Sequence, residues 1–185
     1  MTYEDDAGSP AASLLDTKLL LDSVVSDADG GARFVSADLK DFFLMSVMTR
    51  PEFMKIPIHH IPADMIEKYN LNEKTHNGYV YIKIKRGMYG LKQAAHLAFE
   101  QLKAHLAPHG YFPVEHSPGL WYHTTKNIRF RLCVDDFGIK HYSLDDLNHL
   151  LNILKQHYSV SVDWTGKNYC GLNIEWNYTK KIVDI

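Results

Sequence analysis

Arg131-Leu132-Cys133-Val134-Asp135-Asp136-Phe137 is the stretch on which the reading of this chain turns. Two apolar runs meet there at a pair of adjacent carboxylates. Before the pair, Ile128, Phe130, Leu132 and Val134 alternate at the period of a β-strand. After it, Phe137 to Tyr142 resumes as a second strand. The pattern predicts an antiparallel hairpin with Asp135-Asp136 at its tip. Asp is common in turns, so a plain turn accounts for the dipeptide taken alone. Its flanks are less ordinary. Tight hairpin tips favour Asn-Gly or Asp-Gly, whereas this pair is bracketed by Val134 and Phe137. Like charges held at the edge of a core repel unless a cation neutralises them. Mg²⁺ suits such a place, because it binds through one or two carboxylates plus substrate phosphates.

A second apolar strand ends in the same way, at Phe34-Val35-Ser36-Ala37-Asp38. If Asp38 and Asp135 end neighbouring strands, they can grip two ions ~3.5–4 Å apart, as in phosphoryl-transfer sites. The remaining chain supplies elements to pack around such strands. Ser9-Pro10 reads as a helix start, and Leu14, Thr17, Leu21 and Val24 mark one face of the run that follows. Glu52 to Ile58 and Gly78 to Arg86 read as strands, and Ile61 to Tyr69 as a short helix. Leu91, Ala95, Ala98, Leu102 and Leu106 form the stripe of the clearest helix, which Pro108 and Gly110 end. Leu144, Leu147, Leu151, Leu154 and Tyr158 mark another. The tail offers short strands over Tyr169 to Trp176 and Lys181 to Ile185. Irregular alternation of helices with antiparallel hairpins predicts an α+β fold rather than a doubly wound one.

Composition narrows the function classes. At 45% hydrophobic and 23% charged, the 185 residues can bury enough surface to fold without staples, which excludes a disordered chain. No apolar run reaches the ~20 residues of a membrane span. The acidic start, Met1-Thr2-Tyr3-Glu4-Asp5-Asp6, lacks a signal peptide's apolar core, and two cysteines, Cys133 and Cys170, fit a reducing compartment. The expected location is intracellular and not secreted. The eleven histidines carry no zinc-type spacing and are expected at the surface. A formal net charge of -2 hides an uneven distribution. Met1 to Asp41 holds nine acidic and three basic residues, while Tyr79 to Arg131 holds eight basic and two acidic. The basic middle, where Lys83, Lys85 and Arg86 alternate with Tyr79, Tyr81 and Ile84, is able to track a phosphate backbone.

Four segments together resemble a known family. Val35-Ser36-Ala37-Asp38-Leu39-Lys40-Asp41-Phe42-Phe43 is similar to the first catalytic motif of reverse transcriptases. Gly87-Met88-Tyr89-Gly90-Leu91-Lys92-Gln93-Ala94 resembles the YGLKQA signature of copia-type retrotransposon polymerases. Cys133-Val134-Asp135-Asp136 resembles their YVDD box, and Asn168 to Glu175 their later YFLGIEI strand. All four stand in the family's order over residues 33–176.

The resemblance implies a ferredoxin-like polymerase palm, an antiparallel sheet with packed helices. It places that palm at residues 33–185, after an N-terminal helix and linker at 1–32 left from the fingers side. The fingers are expected to be largely missing, and the thumb and ribonuclease H parts to lie outside the chain. The implied chemistry is two-metal nucleotidyl transfer from a deoxynucleoside triphosphate to a primer 3′-hydroxyl. Asp38 and Asp135 would hold two Mg²⁺ (or Mn²⁺) ions with the Leu39 backbone carbonyl, and Asp136 would support the catalytic site. Phe43 would act as the aromatic gate against a 2′-hydroxyl, with Gln93 and Asp41 near the incoming nucleotide. Lys83, Lys85, Arg86 and Lys92 would meet the RNA or DNA template with its primer. Expected locations are the cytoplasm, in a virus-like particle, or the nucleus. Two alternatives remain at this point. One is a catalytically weak or inactive retroelement remnant that acts at most as a nucleic-acid-binding module. The other is a nucleotidyl cyclase, which shares the palm-like layer but not the YGLKQ string.

Overall fold

Period-two alternation places the strands, and their neighbours follow from which face each residue buries. The structure is a computed structural model and describes residues 14–185, so the Ser9-Pro10 helix start lies outside the described residues. In chain order the elements are helix α1 (Leu14–Ser26), strand β1 (Arg33–Lys40), the single turn α2 (Phe42–Met45), β2 (Val47–Pro57), α3 (Ala63–Lys68) and β3 (Tyr79–Arg86). There follow α4 (Lys92–Leu106), β4 (Tyr111–Val114), β5 (Ser117–His123), β6 (Ile128–Cys133), β7 (Asp136–His141), α5 (Leu144–Leu154) and β8 (Ser159–Asp163). Four short strands end the chain, β9 (Asn168–Tyr169), β10 (Leu172–Asn173), β11 (Glu175–Asn177) and β12 (Ile182–Asp184). This is an α+β fold.

Six strands form one antiparallel sheet in the order β4-β5-β6-β7-β1-β8. Along β1, Val35, Ala37 and Leu39 enter the main core, where they meet Phe130, Phe137 and Ile139 of the neighbouring strands. Helix α4 closes that face with Ala98, Leu102 and Leu106, and α5 with Leu147, Leu151 and Leu154. Ser143 caps α5 by accepting from the Asp146 N–H at 3.1 Å. The opposite face carries Phe34, which joins Leu21, Val24, Tyr169 and Ile174 in a second, smaller core. Lys140 ties that side together, donating to the Ser23 carbonyl at 2.9 Å and to the Asp27 carboxylate. β2 and β3 pair as a separate ribbon. Among the described residues no helix is long and apolar enough to cross a membrane.

Several expectations change. β4, β5 and β8 were not predicted as strands. Pro113 and the Pro118-Gly119 step mimic turn signals, yet Pro113 sits on the sheet's outermost strand, where a missing donor costs least. β2 begins at Val47 rather than Glu52, and its ladder shifts register between those residues, around Pro51. Leu14 and Leu144 lie exposed in the first turns of α1 and α5, and the buried stripe of α1 runs from Thr17 through Leu20, Leu21, Val24 and Val25. The histidines are not uniformly at the surface. His141 is buried in β7, His105 bonds the Ile153 carbonyl at 2.8 Å, and His149 bonds the Tyr111 hydroxyl at 2.9 Å.

Candidate active site

The ladder sets the carboxylates side by side. In the β1–β7 register Asp38 stands directly across from Asp136, and Cys133 closes the hairpin opposite the same residue. Val134 and Asp135 are therefore the two turn residues. Val134 has φ 61°, and Asp135 is not among the residues of positive φ. That is the pattern of a type II′ hairpin turn, whose first position favours glycine. A β-branched residue there is strained. The Leu39 N–H donates to the Asp135 carbonyl at 3.0 Å, which fastens the turn to the end of β1. In a strand the carbonyl of a residue points along the same edge as its N–H, so the Leu39 carbonyl is directed toward this turn as well.

Three carboxylates thus gather at one sheet end. Among the described residues none of them has an ion-pair partner. Burial raises the Asp38 pKa above the usual carboxylate range, and the Asp135 charge raises it further against the pull of the Ser161 hydroxyl. Asp136 is raised likewise, by burial and then by Asp135 and Asp38, with the Cys170 thiol partly offsetting them. Carboxylates that repel one another and pair with no described cationic side chain fit a divalent ion by donor chemistry. Among the described residues no group of three or more His, Cys, Asp or Glu side chains is placed to hold a metal ion. Asp135 is turned to a different partner. Its Oδ2 accepts the Tyr89 hydroxyl at 2.5 Å. That bond, together with burial, pushes the Tyr89 phenol up to about 12.

A cleft of about 350 Å³ opens beside the pair, lined by Ser36, Asp38, Asp136, Ser161, Asp163 and Asn168. Asp163 builds its wall. One carboxylate oxygen accepts from the Thr165 N–H and hydroxyl, and the other from the Lys167 and Asn168 N–H groups at 3.0 and 3.1 Å. These donors, the Thr165 hydroxyl foremost, hold the Asp163 pKa at about 2, so the loop stays fastened at any ordinary pH.

The other predicted residues take varied positions. Phe43 is buried, and the Tyr89 ring meets it edge-on at 4.6 Å between centroids. Tyr89 therefore touches both Phe43 and Asp135. Asp41 lies in an exposed turn at φ 58°. Gln93 faces the ribbon, donating to Glu52 at 3.0 Å and to the Arg50 carbonyl at 3.2 Å, and makes no hydrogen bond to the aspartates. Lys83 and Lys85 are exposed on β3, and Arg86 donates to the Met45 carbonyl at 2.9 Å. The side chain of Lys92 lies outside the described residues. Cross-strand pairing sets Phe53 against Lys83 and Lys55 against Tyr81, so one ribbon face interleaves cations with exposed aromatic rings.

Sequence reasoning passed over Tyr89, Ser161, Asp163 and Asn168. Tyr89 stood inside a quoted motif without a role. The alternation Ser159-Val160-Ser161-Val162-Asp163 was the available signal for a strand that ends in a carboxylate. No protein-family model matches the chain, and no solved structure matches it significantly.

Proposed function

We propose that this chain is the palm of an RNA-directed DNA polymerase, built for nucleotidyl transfer from a deoxynucleoside triphosphate to a primer 3′-hydroxyl. The observation that carries the reading is Asp38 standing opposite Asp136 at the end of two central strands, with the Asp135 turn hydrogen-bonded to Leu39 beside them. The topology supports it. The order β8-β1-β7-β6, with α4 between β1 and β6 and α5 between β7 and β8 on one face, is compatible with the βαββαβ arrangement expected of a ferredoxin-like layer. The four motif-like segments supply the rest of the support.

Asp38, Asp135 and the Leu39 carbonyl are the groups to hold two Mg²⁺ or Mn²⁺ ions. Bound there, such ions supply a lowered pKa for the primer hydroxyl and neutralise charge on the triphosphate. The chain's own residues supply placement. Asp136 stiffens the end of the ladder. Phe43 puts a bulky ring where a 2′-hydroxyl would otherwise fit, which favours deoxynucleotides. The ribbon face of Lys55, Lys83, Lys85, Phe53 and Tyr81 offers phosphate contacts and stacking surfaces to a template strand.

Primer extension on an RNA template with Mg²⁺, comparing the chain with Asp135→Asn, tests the reading. Loss of an electrostatic catalytic group lowers rates by about a hundredfold or more, and that loss is the expected result. Equal extension by both proteins would sink the assigned site. A second reading, a nucleic-acid-binding module without catalysis, is favoured by the ribbon face, which does not depend on the aspartates. It predicts no extension by either protein and salt-sensitive binding of single strands by both.

A further inference from the structure

We infer that Tyr89 is a removable cap on the Asp135 carboxylate, so that a divalent cation and the Tyr89 hydroxyl compete for the same oxygen. The inference rests on the metal reading above and adds to it the event that opens the site. Three observations carry it. The Tyr89 hydroxyl donates to Asp135 Oδ2 at 2.5 Å, and a bond this close leaves that oxygen's near side occupied. Asp135 is also the carboxylate that has no other described side-chain partner, whereas Asp38 and Asp136 face Ser161 and Cys170. Finally, Tyr89 is built to move. It is 64% exposed, it has the Phe43 ring on one side, and Gly90 follows it at φ 88° with open space where a side chain would be. Rotation of one exposed ring would release Asp135 without disturbing the buried sheet.

A neutral phenol gives Asp135 a hydrogen bond while no cation is present. A cation must then displace that bond, so the apparent affinity of the site is its intrinsic affinity multiplied by the uncapped fraction.

The experiment is Mn²⁺ titration followed by electron paramagnetic resonance on the whole chain, its Tyr89→Phe variant and its Asp135→Asn variant. Tyr89→Phe keeps the ring against Phe43 and removes the hydroxyl alone. The expected result is binding by the unaltered chain, binding about five- to tenfold tighter in Tyr89→Phe, as loss of a charge-assisted bond to an exposed group predicts, and weaker binding in Asp135→Asn. As a second readout, the tyrosine ring NMR signal that is absent from Tyr89→Phe should shift when Mg²⁺ is added to the unaltered chain. Binding that needs Asp135 but is unchanged or weaker in Tyr89→Phe would overturn the cap and leave the metal reading standing. Such a result would mean that Tyr89 holds Asp135 in place for the ion. A tyrosine signal that ignores Mg²⁺ would overturn the cap as well. Absence of binding in all three proteins would remove the metal reading and the cap together.

Discussion

Gly138 is the seat on which the Tyr169 ring rests. A methyl group at Gly138 would stand 2.8 Å from Tyr169 Cζ, and the Tyr169 hydroxyl donates past it to the Arg131 carbonyl at 3.2 Å. Phe34 Cζ would lie 3.0 Å away on the other side. The central strand β7 thus gives up a side chain so that the β9–β10 hairpin can lie flat against the sheet beside the aspartates. Overpacking of this kind costs about 1–3 kcal/mol. We expect Gly138→Ala to lower the thermal midpoint by roughly 2–12 °C, given about 2–4 °C per kcal/mol for a chain of this size. Differential scanning calorimetry measures it, and an unchanged midpoint would mean the ring has room to slide.

Val134 tests the turn. Its φ of 61° is comfortable for glycine and strained for a β-branched side chain. Such strain costs of order 1–3 kcal/mol, and glycine's extra unfolded-state entropy takes back up to about 1. Val134→Gly should therefore raise stability by about 1 kcal/mol, within a range of roughly 0–2.5, in urea unfolding. The same substitution should loosen the tip that carries Asp135 and lower whatever activity depends on it. A destabilised Val134→Gly protein would show that the Val134 side chain contributes more through packing than the turn costs.

Acid should weaken the fold before it reaches the carboxylates. Burial is the largest influence on His105, His123, His141 and His149, and it lowers the pKa of each below its ordinary value near 6.5. Lys126 and neighbouring histidines lower His149 further, and Arg33 does so for His141, while Asp146 opposes both. A depressed folded pKa means that the unfolded chain takes up protons first. Stability is then full above pH ~6.5 and falls as pH drops through the folded values. Asp38 and Asp136 act with the opposite sign at lower pH, since raised folded pKa values let protonation relieve their repulsion. We expect the thermal midpoint to be flat from pH 8 to about 7 and to fall by several degrees toward pH 5. A midpoint that rises on acidification from pH 7 to 6 would contradict this.

The fold was legible where side-chain period and burial agreed. Val35, Ala37 and Leu39 alternate into the core as the sequence suggests, and Ala98, Leu102 and Leu106 face it from α4. Legibility failed where local signals and tertiary position diverge. Pro113 reads as a breaker yet pairs in an edge strand, because only position in the sheet tells which face needs no donor. For the site, Asp38 and the Asp135-Asp136 pair stood out because carboxylates interrupt apolar runs. Tyr89 did not, because its hydrogen bond to Asp135 crosses 46 residues of chain. Nor did Asp163, whose partners are mostly backbone N–H groups that no side-chain pattern announces.

The alternation along β1 has one more consequence. Val35, Ala37 and Leu39 bury on one face while Phe34, Ser36 and Asp38 take the other. A slip of one residue against β7 would exchange the two sets, drive Asp38 in among the leucines of α4 and α5, and turn Leu39 to water. Hydrophobic burial therefore proofreads the alignment of the aspartates at no separate cost. Any molecule that folds presents Asp38 opposite Asp136. Silencing such a site takes a change of side chain, and a chain altered in that way would keep its fold.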